Sequence, residues 1–281
     1  MSGFSPDWLR LREPADHRSR NRELLASLAA RFRGREDVLV ADLGAGTGSN
    51  LRAVAPALPA RQQWILIDHN PELLAAAFEA VAQWADSARA IATGLEASKG
   101  GKSLLVEARH VDLVADPVAW GEALPDLVTA AALFDLVSEA WIEHFTAALA
   151  HARLPLYAAL NHDGIAEWKP PHPADGRMSA AFERHFGGDK GFGPAAGLSA
   201  SKLVAGSLAA KGYAIERGRS DWRLGTADQK LIAALAEGWA KAVAETGAVP
   251  KAAISDWLAA RQAAGVSCIV GHEDLLALPP R

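Results

Sequence analysis

Cysteine is almost absent from this sequence, and long apolar runs are missing altogether. The single cysteine, Cys268, has no partner for an internal disulfide, which fits a reducing compartment. The most apolar stretch, 126–137, is interrupted by Asp135 and is too short to cross a bilayer. Residues 1–12 contain neither the apolar run nor the cleavage site of a signal peptide. The sequence therefore predicts a soluble cytoplasmic protein that does not bind membranes.

An excess of basic charge is also missing. Lysine and arginine number 29 against 33 acidic residues, which gives a net charge of −4. Proteins that bind nucleic acid by neutralising phosphates are usually basic, so this composition disfavours a nucleic-acid partner. The chain is rich instead in apolar residues, which make up 50% of its 281 residues. Such a chain can bury a full core without disulfides or metal ions.

Short buried runs alternate with helical stretches through the first half of the sequence. Strands separated by helices of about 10–15 residues imply βαβ units, and therefore a parallel sheet with helices on both faces. An amphipathic helix precedes the first strand, because apolar residues from Leu25 to Phe32 recur at i, i+3, i+4 and i+7. Pro14 marks the predicted start of this helix, and Gly34 lies just past its end. The predicted strands are 38–41, 64–67, a run from about 104 to 112, 127–133 and 156–160.

The second half of the sequence is less regular. Residues 163–193 contain three prolines, six glycines and one convincing helical stretch, near 178–186. Long segments of this kind are usually functional or disordered, so we expect either a lid over a ligand or a solvated excursion. The other predicted elements are a helix at 199–211, a strand at 213–222, a helix from a capping box at 226–229 to Gly247, a helix from Pro250 to Gly265, and a last strand at 266–270.

A glycine-rich loop follows the first predicted strand and opens a helix. It runs from Asp42 to Asn50 and reads DLGAGTGSN. Glycines in such a loop let the backbone turn tightly and approach a ligand, and the helix N-terminus directs amide groups at that ligand. In an open parallel sheet the loop lies at the carboxyl ends of the strands, near the topological switch point. We therefore expect a nucleotide-like ligand at this loop.

The spacing of the glycines narrows the choice of ligand. The dinucleotide fingerprint is G-x-G-x-x-G, whereas this loop is G-x-G-x-G with Ser49 in place of the third glycine. Asp42 is unfavourable beside a pyrophosphate but suits a cation such as an ammonium group. A buried strand followed by D-x-G-x-G-x-G resembles the first motif of class I (Rossmann-like) S-adenosylmethionine-dependent methyltransferases, of the bacterial type that acts on small molecules.

This resemblance covers about 38–164 by motif and implies roles for particular residues. Asp68, at the end of the second strand, would accept hydrogen bonds from the ribose hydroxyls. Asp112 would accept from the adenine amine while Leu113 packs on the ring. The alternative is that these acids are only capping or turn residues at strand ends. The implied S-adenosylmethionine site comprises Asp42, Gly44, Ala45, Gly46, Gly48, Asn50, Asp68, His69, Asp112, Leu113 and Phe134.

The resemblance also implies the fold, an α/β, doubly wound, mostly parallel seven-stranded sheet with helices on both faces. Strands 213–222 and 266–270 would be the last two, one of them antiparallel, and the helices between them form a C-terminal insertion that the family usually lacks. The N-terminal helix, with Arg12 before it, could close over the carboxylate of the cofactor. We expect one domain over 1–281, able to form a homodimer. Its parts are a helical arm (1–35), a cofactor-binding half (36–164), and a lid and acceptor or cap region (165–281).

A methyl acceptor would face the ends of the fourth and fifth strands, where its nucleophile must be held and deprotonated. We predict catalytic roles for His162, Asp135 and Asp163 at these ends. An imidazole accepts a proton readily near neutrality, and the two acids could orient it or bind the acceptor. One alternative is that His162 only anchors a loop. Another is a divalent cation held by Asp135, Asn161 and Asp163, although the order of these residues departs from that of metal-dependent relatives.

Three functions remain in view. The favoured one is transfer of a methyl group from S-adenosylmethionine to a polar small molecule by in-line displacement, without a metal ion. An NAD(P)-dependent oxidoreductase on the same fold is opposed by the glycine spacing and by Asp42. The third is a non-catalytic protein that retains S-adenosylmethionine as a regulatory partner, for which we would expect the ends of the fourth and fifth strands to be blocked.

Overall fold

Ten strands form one sheet in the computed structural model, which describes residues 4–121 and 123–280. Residues 1–3 of the predicted arm (1–35), residue 122 of the predicted cofactor-binding half (36–164) and residue 281 of the predicted C-terminal region (165–281) lie outside these ranges. The strands are β1 (Asp37–Leu43), β2 (Arg61–Asp68), β3 (Ser87–Ile91), β4 (Gly94–Lys99), β5 (Lys102–His110), β6 (Leu127–Ala131), β7 (Leu156–Lys169), β8 (Ala214–Arg219), β9 (Trp222–Leu224) and β10 (Ser267–Leu278). The helices are α1 (Pro6–Ser19), α2 (Arg22–Arg31), α3 (Ser49–Val54), α4 (Pro71–Trp84), α5 (Glu139–His151), α6 (Asp175–Phe186), α7 (Ala200–Ala210), α8 (Gln229–Thr246) and α9 (Lys251–Arg261).

The order of the strands is that of a doubly wound sheet. It runs β3-β4-β5-β2-β1-β6-β7-β10-β8, and β9 pairs with β10. Strands β5, β2, β1, β6 and β7 are parallel, whereas β10 is antiparallel to both β7 and β8. Because the chain moves outward from β1 to β5 and then returns to β6, the switch point lies between β1 and β6. The predicted mostly parallel core of seven strands is therefore confirmed.

Three strands were not predicted. The hairpin of β3 and β4 extends the edge of the sheet beside β5. The residues of β3 are exposed or nearly so, and most of its apolar side chains are small alanines, so no clear strand signal is present there. The predicted run 213–222 corresponds to β8 and ends at Trp222, where the separate strand β9 begins; both strands pair with β10.

Helices cover both faces of the sheet, as predicted. Alternate residues of β2 show the division, because side chains along a strand point to opposite faces. Trp64 and Leu66 pack in a cluster with residues of α2, α3 and α4. Ile65 and Ile67 pack in a second cluster with residues of α5 and α7. The buried run in β2 therefore reflects a strand that is covered on both sides.

The N-terminal arm contains two helices, not the single helix predicted to start at Pro14. Pro14 lies inside α1, which begins after Ser5, whose hydroxyl accepts a hydrogen bond from the amide of Trp8 at 3.2 Å. The second helix begins after Asn21, whose side chain accepts from the amide of Leu24 at 3.0 Å. Both caps satisfy amide groups that a helix start leaves without partners. The chain thus bends between the two helices, at Arg20.

Strands β7 and β10 are much longer than predicted and bear a cap on one end of the sheet. Strand β7 continues nine residues past Leu160 to Lys169, so the first part of the predicted lid is a strand. Polar residues after Leu160 and two shifts of register against β10 hid this continuation in the sequence. Helices α6, α8 and α9 cover the extension, with a third apolar cluster between them that includes Trp168, Trp239 and Trp257.

A buried arginine ties the elements of the cap together. Arg261 is 1% exposed, and its guanidinium lies over the rings of Trp168 and Trp257 at 5.4 and 5.5 Å. It donates to the carbonyl of Pro170 and pairs with Asp175 at the start of α6. The cap therefore depends on a charged group that is fixed by aromatic faces and hydrogen bonds. Within residues 4–121 and 123–280, no helix has the length and apolarity needed to span a membrane.

Replacing Arg261 by alanine should destabilise the protein by about 3 kcal/mol, because it removes the cationic partner of Asp175 and the donor to the carbonyl of Pro170, and opens a space between two tryptophans. Urea unfolding followed by tryptophan fluorescence measures this loss. The exposed Arg33, which lies outside the cap, provides the matched control, and its replacement by alanine should change stability by less than about 0.5 kcal/mol. Equal stability of the two variants would contradict the role given to Arg261.

Candidate functional site

The glycine loop connects β1 to α3 with a backbone that only glycine adopts easily. Gly44, Gly46 and Gly48 have φ of 62°, 53° and 72°, in the left-handed region. A Cβ atom added at Gly44 would lie 3.2 Å from Leu133, in the segment after β6, and one at Gly46 would lie 3.1 Å from Leu9 of α1. The loop is therefore closely approached from both sides.

Asp68 fastens this loop to the end of β2. One carboxylate oxygen accepts from the amide of Gly46 at 2.9 Å, and the other accepts from the amide of Asn70 at 2.9 Å. Asp68 is 5% exposed, while the neighbouring His69 lies at the surface with its Nδ1 3.4 Å from the carboxylate. Each carboxylate oxygen can accept a second hydrogen bond, so Asp68 can hold the loop and still accept from a ligand hydroxyl.

Asp42 lies at the buried start of the glycine loop. It is fully buried, and its Oδ1 accepts from Asn50 at 2.6 Å and from the hydroxyl of Thr129 at 2.8 Å. Its Oδ2 is buried and has no hydrogen-bond partner among the residues that the structure describes. Burial raises the pKa of Asp42 to about 6, and the hydrogen bonds from Asn50 and Thr129 and the charge of Arg20 oppose this rise.

The amide of Asn50, predicted to bind cofactor, is committed to other side chains. Its nitrogen donates to Asp42, and its oxygen accepts from Nη1 of Arg20 at 2.7 Å. Asn50 therefore links the loop to the bend between α1 and α2. Neither Arg20 nor Thr129 was predicted for the site, because their positions in the sequence carry no motif and only the fold brings them to the loop.

The predicted adenine contacts lie at the end of β5. Asp112 is exposed and accepts from the amide of Val114 at 2.9 Å, which is the turn-capping arrangement raised as an alternative. Leu113 is 5% exposed, and its carbonyl accepts from the indole of Trp141 at 2.6 Å. Phe134 is 1% exposed and packs against Trp141 with a ring separation of 6.2 Å. The side chains of Leu113 and Phe134 thus belong to the apolar cluster beside the loop.

Asp135, after the end of β6, lies close enough to His162, within the extended β7, for the imidazole to influence its carboxyl group. Asp135 is 5% exposed, and its buried Oδ1 has no hydrogen-bond partner within the described ranges. Burial raises the pKa of Asp135, and the charges of His162 and Arg12 oppose the rise. His162 places its Nδ1 3.0 Å from the carbonyl of Gly271. Since a carbonyl only accepts, Nδ1 bears the hydrogen and Nε2 is left with a free lone pair.

Asp163 points away from this pair. It is bound to Arg219 of β8, and one of its oxygens also accepts from the amide of Ile165 at 3.1 Å. Asn161 donates to the carbonyl of Glu273 at 3.1 Å. The three residues of the suggested cation site are thus engaged separately. Across 4–121 and 123–280, no three His, Cys, Asp or Glu side chains are gathered as around a metal ion.

Segments of the predicted lid lie over Asp135 and His162. The ring of Phe186, at the end of α6, is 5.5 Å from the ring of His162 and nearly perpendicular to it. After α6 the chain forms backbone hydrogen bonds with the segment that follows β6. The amide of Ala196 donates to the carbonyl of Val137 at 2.7 Å, and the amide of Gly197 donates to the carbonyl of Asp135 at 3.2 Å. The sequence predicted the helix that contains Phe186 but not which side of that helix faces His162, so Phe186 was not among the predicted site residues.

Comparisons with known proteins place the fold. No protein-family model matches the chain, and no curated protein sequence matches it. A putative methyltransferase from Bacillus halodurans is 14% identical over 92% of this chain and 99% of its own, with a TM-score of 0.50. A cyclopropane-fatty-acyl-phospholipid synthase-like protein from Lactobacillus casei is 12% identical over 98% and 95%, with a TM-score of 0.51. The fold expected from the resemblance to class I methyltransferases is therefore confirmed.

The raised pKa of Asp42 predicts a pH-dependent stability difference. A carboxyl whose pKa is higher in the folded than in the unfolded state favours folding while it is protonated, and this contribution is lost as the pH rises from about 4 to about 6. The Asp42→Asn variant lacks this loss, so its stability relative to the natural protein should rise by about 3 kcal/mol across that interval. Urea unfolding at several pH values measures the difference, and a constant difference would contradict the assignment.

Proposed function

We propose that this chain, which has the fold of class I methyltransferases, transfers a methyl group from S-adenosylmethionine to a polar small molecule. One observation supports this most directly. At the switch point, a glycine loop in the left-handed conformation is fastened by its Gly46 amide to the carboxylate of Asp68, at the end of the adjacent strand. This arrangement supports the proposal, because a nucleoside requires a backbone that it can approach closely and an acid that could accept from its hydroxyl groups.

The residues present fit S-adenosylmethionine better than a dinucleotide. The buried Oδ2 of Asp42 lacks a partner among the described residues, and an ammonium group would supply one. Asp68 would accept from the ribose hydroxyls, and the apolar side chains of Leu113 and Phe134 would border the adenine. An anionic pyrophosphate at this loop would be repelled by the carboxylate of Asp42. We therefore favour a methyltransferase over an NAD(P)-dependent oxidoreductase.

The acceptor end would be formed by Asp135 and His162. When bound, S-adenosylmethionine supplies an electrophilic methyl group. The free Nε2 of His162 would take the proton that the acceptor loses as it attacks that group. The carboxylate of Asp135 would stabilise the resulting imidazolium, and Phe186 would exclude water from the pair. A polar small molecule is the acceptor that best suits a protein of acidic net charge with a covered site.

Direct titration tests the cofactor. We expect S-adenosylmethionine and S-adenosylhomocysteine to bind with micromolar affinity in a calorimeter, and NADH and NADPH not to bind. The Asp68→Ala variant should lose at least about 2 kcal/mol of binding free energy, because two ribose hydroxyls lose a charged acceptor. Asp256→Ala, an exposed acid on α9, is the control and should bind as the natural protein does. Folded protein that binds NADH but no adenosyl ligand would overturn the proposal.

A non-catalytic binding protein is the second candidate, because the segment that follows the end of β6 is covered. Asp135 is 5% exposed, and the segment after α6 is hydrogen-bonded across it. Transfer of radiolabelled methyl groups to a panel of phenols, amines and hydroxy acids separates the two functions. Catalysis predicts turnover that falls about 100-fold in His162→Gln without loss of S-adenosylhomocysteine binding. Tight binding with no transfer to any member of the panel would favour the second candidate.

A further inference from the structure

Helix α6 presents two phenylalanines to the acceptor end of the site. Phe182 and Phe186 are four residues apart and therefore lie on the same face of the helix. The ring centre of Phe186 is 5.5 Å from that of His162, and the ring centre of Phe182 is 6.5 Å from it. All three residues are half-buried. His162 thus borders an aromatic surface that remains partly accessible.

The two phenylalanines end a series of stacked aromatic rings in the cap. The ring centres of Trp239 and Phe182 are 4.1 Å apart, with an angle of 6° between the planes. Phe182 and Phe186 continue the series, with ring centres 5.7 Å apart and an angle of 17°. On the other side of Trp239 lies the ring of Trp257, 6.2 Å away at 16°, over which the guanidinium of Arg261 is placed. Packing therefore fixes the orientation of Phe186 in advance, which lowers the cost of stacking a further ring on it.

Phe186 is the last ring of this series within the described residues. Its ring stacks with that of Phe182, whereas the ring of His162 is nearly perpendicular to it, at 86°. Offset stacking is one of the arrangements that aromatic rings prefer. A planar ligand that extends the series past Phe186 would therefore lie beside His162, on the exposed part of the phenylalanine.

Gly197 connects Phe186 to Asp135. The amide of Gly197 donates to the carbonyl of Asp135 at 3.2 Å. A Cβ atom added at Gly197 would lie 3.8 Å from Cδ1 of the Phe186 ring. Phe186, Gly197 and Asp135 thus follow one another at contact distance. The buried Oδ1 of Asp135, which has no hydrogen-bond partner in the described part of the chain, could accept from a polar group on the ligand.

We propose that Phe186, supported by Phe182, is a stacking platform that selects a planar aromatic methyl acceptor with a hydroxyl or N–H group beside His162. The inference rests on the proposed function and narrows its polar small molecule to an aromatic one. The oxygen or nitrogen on the ring attacks the methyl carbon as the bond from that carbon to sulfur breaks. The electron pair of this bond stays on sulfur, which leaves S-adenosylhomocysteine, and the proton of the acceptor moves to Nε2 of His162.

The test compares two bicyclic alcohols of similar size, the planar 2-naphthol and the saturated decahydro-2-naphthol. Calorimetry measures the affinity of each alcohol with and without S-adenosylhomocysteine, whose own binding is measured separately. Phe186→Leu removes the ring but keeps an apolar side chain, and Phe186→Tyr restores an aromatic ring. Phe4→Leu is the control, because Phe4 is 48% exposed and precedes α1. Thermal unfolding of every variant establishes that it is folded.

The natural protein should bind 2-naphthol at least about fivefold more tightly than the saturated alcohol, because only a planar ring stacks well on Phe186. Phe186→Leu should lose this preference, whereas Phe186→Tyr and Phe4→Leu should keep it. The ratio of the two affinities separates stacking from a purely structural role. If Phe186 only supported the fold, its loss would weaken both alcohols equally and leave the ratio unchanged.

Three results overturn the platform. They are equal affinity of the natural protein for the two alcohols, a preference that Phe186→Leu keeps, and a preference that Phe186→Tyr loses as fully as Phe186→Leu. Failure of the proposed function gives a different result, because the natural protein would then bind no S-adenosylhomocysteine, whatever its preference between the two alcohols.

Discussion

The buried guanidinium of Arg20 is the interaction on which the site depends. Arg20 is 5% exposed and joins Asn50, and through it Asp42, to the bend between α1 and α2. Burial alone would lower the pKa of Arg20, but the neighbouring Tyr157 and Asp274 raise it, so the group stays charged. Asp274, itself fully buried, accepts from Tyr157 at 3.0 Å and from the amides of Asn21 and Leu160 at 2.9 and 2.8 Å. Charges at such depth are tolerated only with their partners in place, so this network fixes α1, α3, β7 and β10 in a single arrangement.

The position of helix α1 follows from that network. Glu13 pairs with both ends of the Arg52 guanidinium at 2.8 and 2.6 Å, and the ring of His17 lies 3.0 Å from the carbonyl of Ser49. These contacts hold α1 over the glycine loop, and the charge of Arg12 on the same helix acts on Asp135 at the acceptor end. The two ends of the candidate site are thus organised by one helix, whose sequence contains no nucleotide-binding motif. Two of the buried polar atoms without partners in the described residues, on Asp42 and Asp135, belong to this site. A bound ligand would satisfy atoms that the protein leaves unsatisfied.

The sequence predicted those features that depend on neighbouring residues. The apolar composition of two short runs, Val38–Ala41 and Trp64–Ile67, is enough to predict buried strands. The glycines after Asp42 likewise predict a backbone conformation that no other residue adopts easily. It did not predict features that depend on distant pairing. The continuation of β7 past Leu160 exists because β10 pairs with it across more than a hundred residues of chain, and its polar residues gave no periodic signal. The same reason explains why Asp135 and His162 meet while Asp163 turns to Arg219. Side chains alternate between the two faces of a strand, so the face that a residue occupies depends on the register of pairing. Where the register shifts, the sequence alone does not show which face each side chain occupies.

Helix α1 touches both the glycine loop and the cap. Besides its contacts to the loop, it places Arg12 on Trp222 of β9, and Arg18 donates to Asp228 at 2.7 Å, just before α8. Its apolar residues Trp8, Leu11 and Ala15 pack in the third cluster with residues of the cap. The helix cannot leave the loop without also leaving the cap, so a single opening would expose both ligand positions at once. A substitution that displaces α1 from the cap would therefore also disturb the glycine loop.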